Sequence, residues 1–367
     1  MGRFSLEPTY CSTRMGPVEA HIAHIRHLAR PPALHQFLRD RHRFTSPEAR
    51  AKASEVAPFV EQALSFHDSS RTTPLRVRPV LQYYTYLNLA VAIVLVYRPN
   101  KWQTYRKHGA EDLTRNLKKI SLSSPVVQVR EGAVTLFHSI ISDAALSSRR
   151  LTLRDLLLPI PMVSSELRHL FDVKSLALEV SHGTRISRDG SNEWVTSSFG
   201  FKLISPENQP TFDPGSANFP LGRLYRAAPA LKSQYTLKQK HRHSAEFESR
   251  QRWTVSNRER AEKYHDDLAL RIINFGGQQV DQNRAEHFMW RFDSTSDLLP
   301  ALTASLLLSF TLASLARYRA NVLDRVEGSK INLLCEVFSN EADGFIIPAF
   351  RNLLYAESMY MSASQFT

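Results

Sequence analysis

The segment from Pro79 through Tyr97, "PVLQYYTYLNLAVAIVLVY", holds nineteen consecutive residues without a charge. As a helix it is roughly 28 Å long at 1.5 Å per residue, close to the hydrocarbon thickness of a bilayer. The chain therefore either crosses a membrane here or buries the segment in a core large enough to enclose it. A second uncharged run of nineteen residues extends from Leu298 through Ala316. Both runs finish on Tyr-Arg-x-Asn: Tyr97, Arg98 and Asn100 in the first, Tyr318, Arg319 and Asn321 in the second. Stripes of large aliphatics lead into each ending, with Leu87, Val91 and Val94 in the first and Leu308, Leu312 and Leu315 in the second.

Polar content decides between span and core. The first run carries Gln82, Thr85, Asn88 and four tyrosines, and the second carries Pro300, Thr303, Ser305, Ser309, Thr311 and Ser314. Lysines and arginines flank the first run on both sides, so charge sets no membrane orientation. The expectation is two buried central helices that pack together, with no membrane partner. Their endings have two readings. A cation at a helix C-terminus is favoured by the dipole, asparagine accepts the left-handed cap conformation, and Pro99 forbids continuation. Alternatively, Arg98, Arg317 and Arg319 line an anion-binding cleft at paired helix ends.

At 367 residues with 47 Lys and Arg against 35 Asp and Glu, the chain has a net charge of +12. That balance points to polyanionic partners, namely nucleic acid or a nucleotide. The two cysteines, Cys11 and Cys335, stand far apart, which excludes a disulfide framework and a cysteine zinc site and fits a cytoplasmic protein. The first sixteen residues lack the apolar stretch of a signal peptide.

The pattern divides the chain into four regions. Residues 1–70 form an N-terminal helical extension, in which Ser46-Pro47-Glu48 marks a helix start. Residues 71–164 form a first helical region, with residues 68–79 as a loop before it, a hairpin turn at Glu131-Gly132, and a short helix capped by Thr152. Residues 165–293 are β-rich, with "KSLALEVS", "NEWVTSSFGFKLIS" and "EFESRQRWTV" as strands. Residues 294–367 return to helix, ending in "IIPAFRNLLYAESMYM". The fold class is α+β: helix-dominated N- and C-terminal regions pack together, and a β-rich region lies between them.

"YYTYLNLAVAIVLVYRPN", then "KHGAEDL" with His108-Gly109, "VQVREGAVTLFHSI" and "LTLRDLLLPIP" resemble the N-terminal half of YaaC-like bacterial proteins. "LLLSFTLASLARYRANVL" followed by "FIIPAFRNLL" resembles their C-terminal half, with Leu315-Ala316-Arg317-Tyr318 the most specific piece. The resemblance covers residues 75–160 and 295–355. It implies a bacterial, helix-dominated cytoplasmic protein and no particular activity, with members in housekeeping and defence-associated contexts. The aromatic-rich first run is also similar to the opening helix of HEPN proteins, many of which are defence ribonucleases.

Such ribonucleases need an arginine and a histidine that act together on the ribose hydroxyl. Arg14/His21, Arg30/His35, Arg258/His265 and Arg260/His265 have that spacing. Composition alone gives about four such pairs, so the spacing carries no signal. His265, followed by Asp266 and Asp267, reads as an exposed helix position whose basicity those carboxylates would raise. His265 and His108 are the catalytic candidates. His21, His24 and His27 share a helix face but no carboxylate or cysteine completes a metal set; they read as a solvated face, and no metal or cofactor is expected. In "KQKHRHSAEFESRQRW", Lys238, Lys240, Arg242, Arg250 and Arg252 surround Trp253, a combination that holds phosphates and stacks a base. Walker, dinucleotide and nucleophile-elbow motifs are absent from the sequence.

Three functions stay open. The first is a YaaC-like component of an anti-phage defence system that binds nucleic acid or a nucleotide, with a protein partner in that complex or a second copy of itself. The second is a HEPN-like ribonuclease effector. The third is a non-catalytic scaffold.

Overall fold

The computed structural model describes residues 7–13, 17–142, 146, 148–173, 176–189, 192–204, 221–227, 229–241, 244–272, 279–281, 284–286, 289–292, 299–318, 322, 329–355 and 357–363. In chain order it begins with β1 (Glu7–Thr13), α1 (Pro17–Leu28), α2 (Pro31–His42), α3 (Ser46–Thr72), α4 (Arg78–Tyr97) and α5 (Pro99–Thr104). A small sheet and short helices follow: β2 (Ala110–Asp112), β3 (Pro125–Val129), α6 (Ala133–Ile141), β4 (Arg150–Thr152), α7 (Leu153–Leu157) and α8 (Ser164–Phe171). The central region holds β5 (Leu176–Asp189), β6 (Asn192–Ile204), α9 (Leu221–Ala227), α10 (Pro229–Gln234), β7 (Tyr235–Lys240), β8 (Ser244–Ser249), β9 (Trp253–Thr254) and α11 (Arg258–Ile272). After β10 (Gln279–Asp281), β11 (Arg284–Glu286) and β12 (Met289–Phe292) come α12 (Ala301–Tyr318), α13 (Lys330–Tyr355) and β13 (Glu357–Ala363). The architecture is α+β, with helices at both chain ends and a sheet region between them.

The nineteen-residue run is α4, and every residue from Tyr86 to Val96 is buried. Both α4 and α12 are long and apolar enough to cross a membrane, and both are mostly enclosed by other parts of the protein. α4 packs chiefly against α3 and α12, then against α6 and α13. Each fully buried aliphatic such as Leu89, Ile93 or Val94 contributes about 1.5–3 kcal/mol, so a helix this apolar is stable only when surrounded. The uncharged polar side chains of α4 find partners within the protein. Gln82 donates to the Ser339 carbonyl of α13 at 2.8 Å, Thr85 to the Leu81 carbonyl at 3.0 Å, and Asn88 to the Tyr84 carbonyl at 2.7 Å. Tyr86 donates to Asp343, and Tyr97 to the Leu353 carbonyl at 3.1 Å.

One apolar cluster joins α1–α4, β3, α6, α7, α12 and α13, so residues before 70 share the core of the later helices. The central region has its own packing, centred on Phe199, Phe201, Tyr235 and Phe247, with Val195, Trp253 and Ala261 as a further group. Its sheet runs in the order β12-β5-β6-β8-β7, all antiparallel, with β9 paired to β6. β1 and β13, from the two ends of the chain, pair in parallel.

Several local expectations change. The loop before α4 is shorter than residues 68–79, because α3 continues to Thr72. The cap of α3 is Thr45, whose backbone N–H and hydroxyl both donate to Glu48. Glu131-Gly132 is not a hairpin turn. The chain passes from β3 through it into α6, where the apolar run from Ala133 follows helical spacing. The final helix ends at Tyr355, and residues 357–361 are strand paired to β1. Thr152 caps α7 as its sequence indicates, accepting from the Asp155 N–H at 3.2 Å.

Candidate functional site

The C-terminal turn of α12 lies beside the first turns of α4. The Phe310 ring sits 5.5 Å from the Tyr83 ring, and Arg317 Nη1 donates to the Tyr84 hydroxyl at 2.6 Å. The two central helices therefore run antiparallel. This arrangement separates the two Tyr-Arg endings, because Arg98 lies at the far end of α4, fourteen residues from Tyr84 or roughly 21 Å along the axis. The anion cleft expected from paired helix ends does not form between Arg98 and Arg317. Arg98 instead leaves the helical conformation (φ −141°, ψ 47°) where α4 breaks, and Pro99 opens α5, so Asn100 is helical rather than a cap. Arg319 lies outside the described residues.

What the fold brings to Arg317 is a set from three distant parts of the chain. Its guanidinium lies 5.6 Å from the Tyr84 ring centre and 4.5 Å from that of Tyr318, whose hydroxyl it also contacts. The Tyr84 ring in turn meets His108 edge-on, with centres 6.4 Å apart. His108 Nδ1 is 3.1 Å from the hydroxyl of Tyr83. Partial burial and then the Arg317 charge hold His108 below the usual imidazole range. Burial raises Tyr83 far above the usual phenol range, so it stays protonated. A cleft of about 490 Å³ opens alongside, lined by Ala110, Glu111, Asp112, Arg115, Phe310, Ser314, Arg317 and Tyr318.

Backbone geometry fixes His108. The first free N–H groups of α6 need acceptors, and the Ala133 and Val134 N–H groups find them in the carbonyls of Lys107 (2.7 Å) and His108 (3.1 Å). Arg130 N–H donates to the Gly109 carbonyl at 3.0 Å. Gly109 adopts φ +84°, and Gly132 approaches the 107–109 backbone so closely that a β-carbon there would lie 2.5 Å from the Lys107 carbonyl oxygen. Both carboxylates of the cleft are engaged. Glu111 pairs with Arg130 at 2.8 Å, and Asp112 accepts from the backbone and hydroxyl of Thr114. Arg115 has no side-chain partner among the described residues and is exposed.

The basic stretch of the central region is built differently from its sequence reading. Trp253 is 8% exposed and packs on Tyr264, so it is not a surface for stacking a base. Arg252 lies over the Trp194 ring at 4.4 Å, and Lys238 pairs with Glu248 at 2.7 Å. Arg250 donates to the carbonyls of Tyr235 and Lys232. Lys240 is exposed at the end of β7, and Arg242 falls outside the described residues. His265 is not an exposed helix position. It is 4% exposed, stacked on Phe199, with Nδ1 2.7 Å from the Ser197 hydroxyl, and burial lowers its pKa to about 4, opposite to the rise expected from its neighbouring aspartates. The His21, His24, His27 face is likewise not solvated throughout. His21 is buried, His24 Nδ1 accepts from Arg351 Nη2 at 3.2 Å, and only His27 is exposed. No group of three metal-ligating side chains occurs among the described residues.

A family profile described as "YaaC-like Protein" matches residues 26–332. The chain belongs to the YaaC-like family. The match begins before the stretch that carries the sequence resemblance and takes in α2, α3 and the β-rich middle. No curated protein and no solved structure matches the chain. Among the residues around the YaaC-like cleft, sequence reasoning reached Arg317 and His108 but missed Tyr83, Tyr84 and Arg115. The adjacent tyrosines were a usable signal, since a phenol inside an apolar helix must find a polar partner for its hydroxyl.

Proposed function

We propose that the cleft beside the end of α12 binds the phosphate of a nucleotide or of a single nucleic-acid strand. The observation that carries this reading is the held guanidinium of Arg317. Two tyrosine hydroxyls and two rings orient it beside His108, and exposed Arg115 lines the same cleft. Planar, oriented guanidinium groups suit phosphate, and the Phe310 and Tyr318 rings supply faces for a base. Glu111 and Asp112 balance the two arginines in formal charge, which favours a compact nucleotide or a strand end over an extended duplex. Among the basic residues of the central region, ion pairs, carbonyls or rings already engage Lys238, Arg250 and Arg252, so this region adds little to the reading.

The test is the binding of labelled oligonucleotides and of adenosine monophosphate by wild type and Arg317→Ala. Loss of a charged hydrogen bond is expected to weaken binding by roughly tenfold to a hundredfold, corresponding to about 1.5–3 kcal/mol. Arg317→Lys should recover only part, because the ammonium lacks the planar fork. Unchanged affinity in Arg317→Ala refutes the reading and leaves the scaffold function. Binding that does not weaken as salt rises would do the same.

A second reading, the HEPN-like ribonuclease, draws support from the meeting of an arginine and a histidine at Tyr84. Metal-independent RNA cleavage abolished by His108→Ala, with binding retained, would favour it. A place in anti-phage defence is proposed on the family resemblance alone. Equal plaque counts on hosts carrying wild type and Arg317→Ala would argue against it.

A further inference from the structure

We infer that His108 serves the cleft as a neutral hydrogen-bond donor through Nε2–H, with Tyr83 as the residue that sets this tautomer. The inference rests on the phosphate-binding reading and assigns a specific role within it. The argument begins with Tyr83. Its side chain is 2% exposed, and among the described residues its hydroxyl has one hydrogen-bond partner, His108 Nδ1 at 3.1 Å. A phenol hydroxyl carries a single proton, and a buried O–H without an acceptor costs about 1–3 kcal/mol. If Nδ1 carried the proton, it would donate to the phenol oxygen and leave the Tyr83 O–H stranded. If Nδ1 is the acceptor, both groups are satisfied. The ring proton then resides on Nε2, the nitrogen on the other side of the ring.

The surroundings support the same state. Charging the ring would place a second cation beside Arg317 and convert Nδ1 from acceptor to donor, reversing the Tyr83 bond and stranding the Tyr83 O–H. The rings of Tyr83 and Tyr84 pack against His108, and Glu111, Asp112 and Arg115 line the adjoining cleft, which begins two residues farther along at Ala110. The bonds from the start of α6 to the carbonyls of residues 107 and 108 fix where the ring is attached, and the Tyr83 hydroxyl is the partner that sets which nitrogen accepts. A neutral N–H donor next to a guanidinium matches the oxygens of a phosphate and adds no charge to a cleft already balanced. It does not match a general base, which needs an unprotonated nitrogen facing its substrate.

The test combines nitrogen-15 NMR of histidine-labelled full-length protein with variant binding. In wild type without ligand, the His108 resonances, assigned by their loss in His108→Gln, should show a protonated Nε2 and an unprotonated Nδ1. Tyr83→Phe should release the second tautomer or raise the fraction of charged ring. With inorganic phosphate or adenosine monophosphate as probe, the Nε2–H signal should shift on titration. His108→Gln, whose amide reaches the Nε2 position, should keep affinity within about threefold, whereas His108→Asn and His108→Ala should lose about tenfold. A protonated Nδ1 in the wild type overturns the inference, as does equal loss in His108→Gln and His108→Ala while Arg317 still governs binding. Failure of wild type to bind either probe overturns the phosphate reading and the donor role together. In that case the tautomer found without ligand still reports on the Tyr83 contact.

Discussion

Gly132→Ala should destabilise the protein and misplace His108 together. The added methyl would sit 2.5 Å from both the Lys107 carbonyl oxygen and the Gly109 nitrogen, and 2.7 Å from the Gly109 α-carbon. These are backbone atoms with no flexible end to move aside, and Gly132 adopts φ +156°, a conformation that disfavours a side chain. Overpacking of this kind costs about 1–3 kcal/mol. Relief requires the 107–109 segment to move away from α6, which breaks the Ala133–Lys107, Val134–His108 and Arg130–Gly109 hydrogen bonds, each contributing about 0.5–1.5 kcal/mol. The two costs are alternatives in part, so the net effect is roughly 2–4 kcal/mol. At about 2–4 °C per kcal/mol for a large domain, the melting temperature should fall by roughly 4–16 °C. Thermal unfolding followed by circular dichroism measures the fall, and the His108 resonances report its position. Gly344→Ala is the control, since its β-carbon meets nothing within 4 Å and α13 gains about 0.5–1 kcal/mol from alanine. A Gly132→Ala protein that melts within 2 °C of wild type, about the smallest shift worth interpreting, would refute the clamp.

Tyr86→Phe removes the hydroxyl that donates to Asp343, whose second oxygen lies 3.6 Å from His67 between α3, α4 and α13. Urea denaturation should show a loss of about 1.5–3 kcal/mol, and a loss below about 0.5 kcal/mol would mean the carboxylate finds other donors. Acid should also weaken the fold. His265 titrates near 4 in the folded protein and His21 near 3, against an ordinary value of 6.5, both chiefly through burial. Below 6.5 the unfolded chain takes up protons that the folded protein refuses. The stability present above that value is therefore lost as pH falls from 6.5 toward 4, by about 3 kcal/mol per buried imidazole. His265→Gln should flatten the slope of stability against pH in that window, and an unchanged slope would show that His265 does not contribute.

The residues themselves settled much of this protein. Nineteen uncharged positions interrupted by glutamine, asparagine and tyrosines can exist only as a helix enclosed by protein, and α4 is that helix. Thr152 as a cap, and the strands β5, β6, β8 and β9 of the central region, were equally legible, because capping and alternation act over a few residues. The site was not legible in the same way. Helical periodicity states which face of α4 and of α12 is buried, and it is silent on whether the two run parallel or antiparallel. Only the packed structure decides that, and it places Arg317 beside Tyr84 and His108 while leaving Arg98 at the other end. Trp253 and His265 make the same point from the central region. A short stretch rich in arginine and histidine reads as surface, but Val195 and Phe199, more than fifty residues away in the chain, pack on these two rings and take them from solvent. Local sequence encodes elements through short-range sterics and hydrogen bonds. Which elements meet, and so which side chains share a site, depends on burial summed over the whole chain.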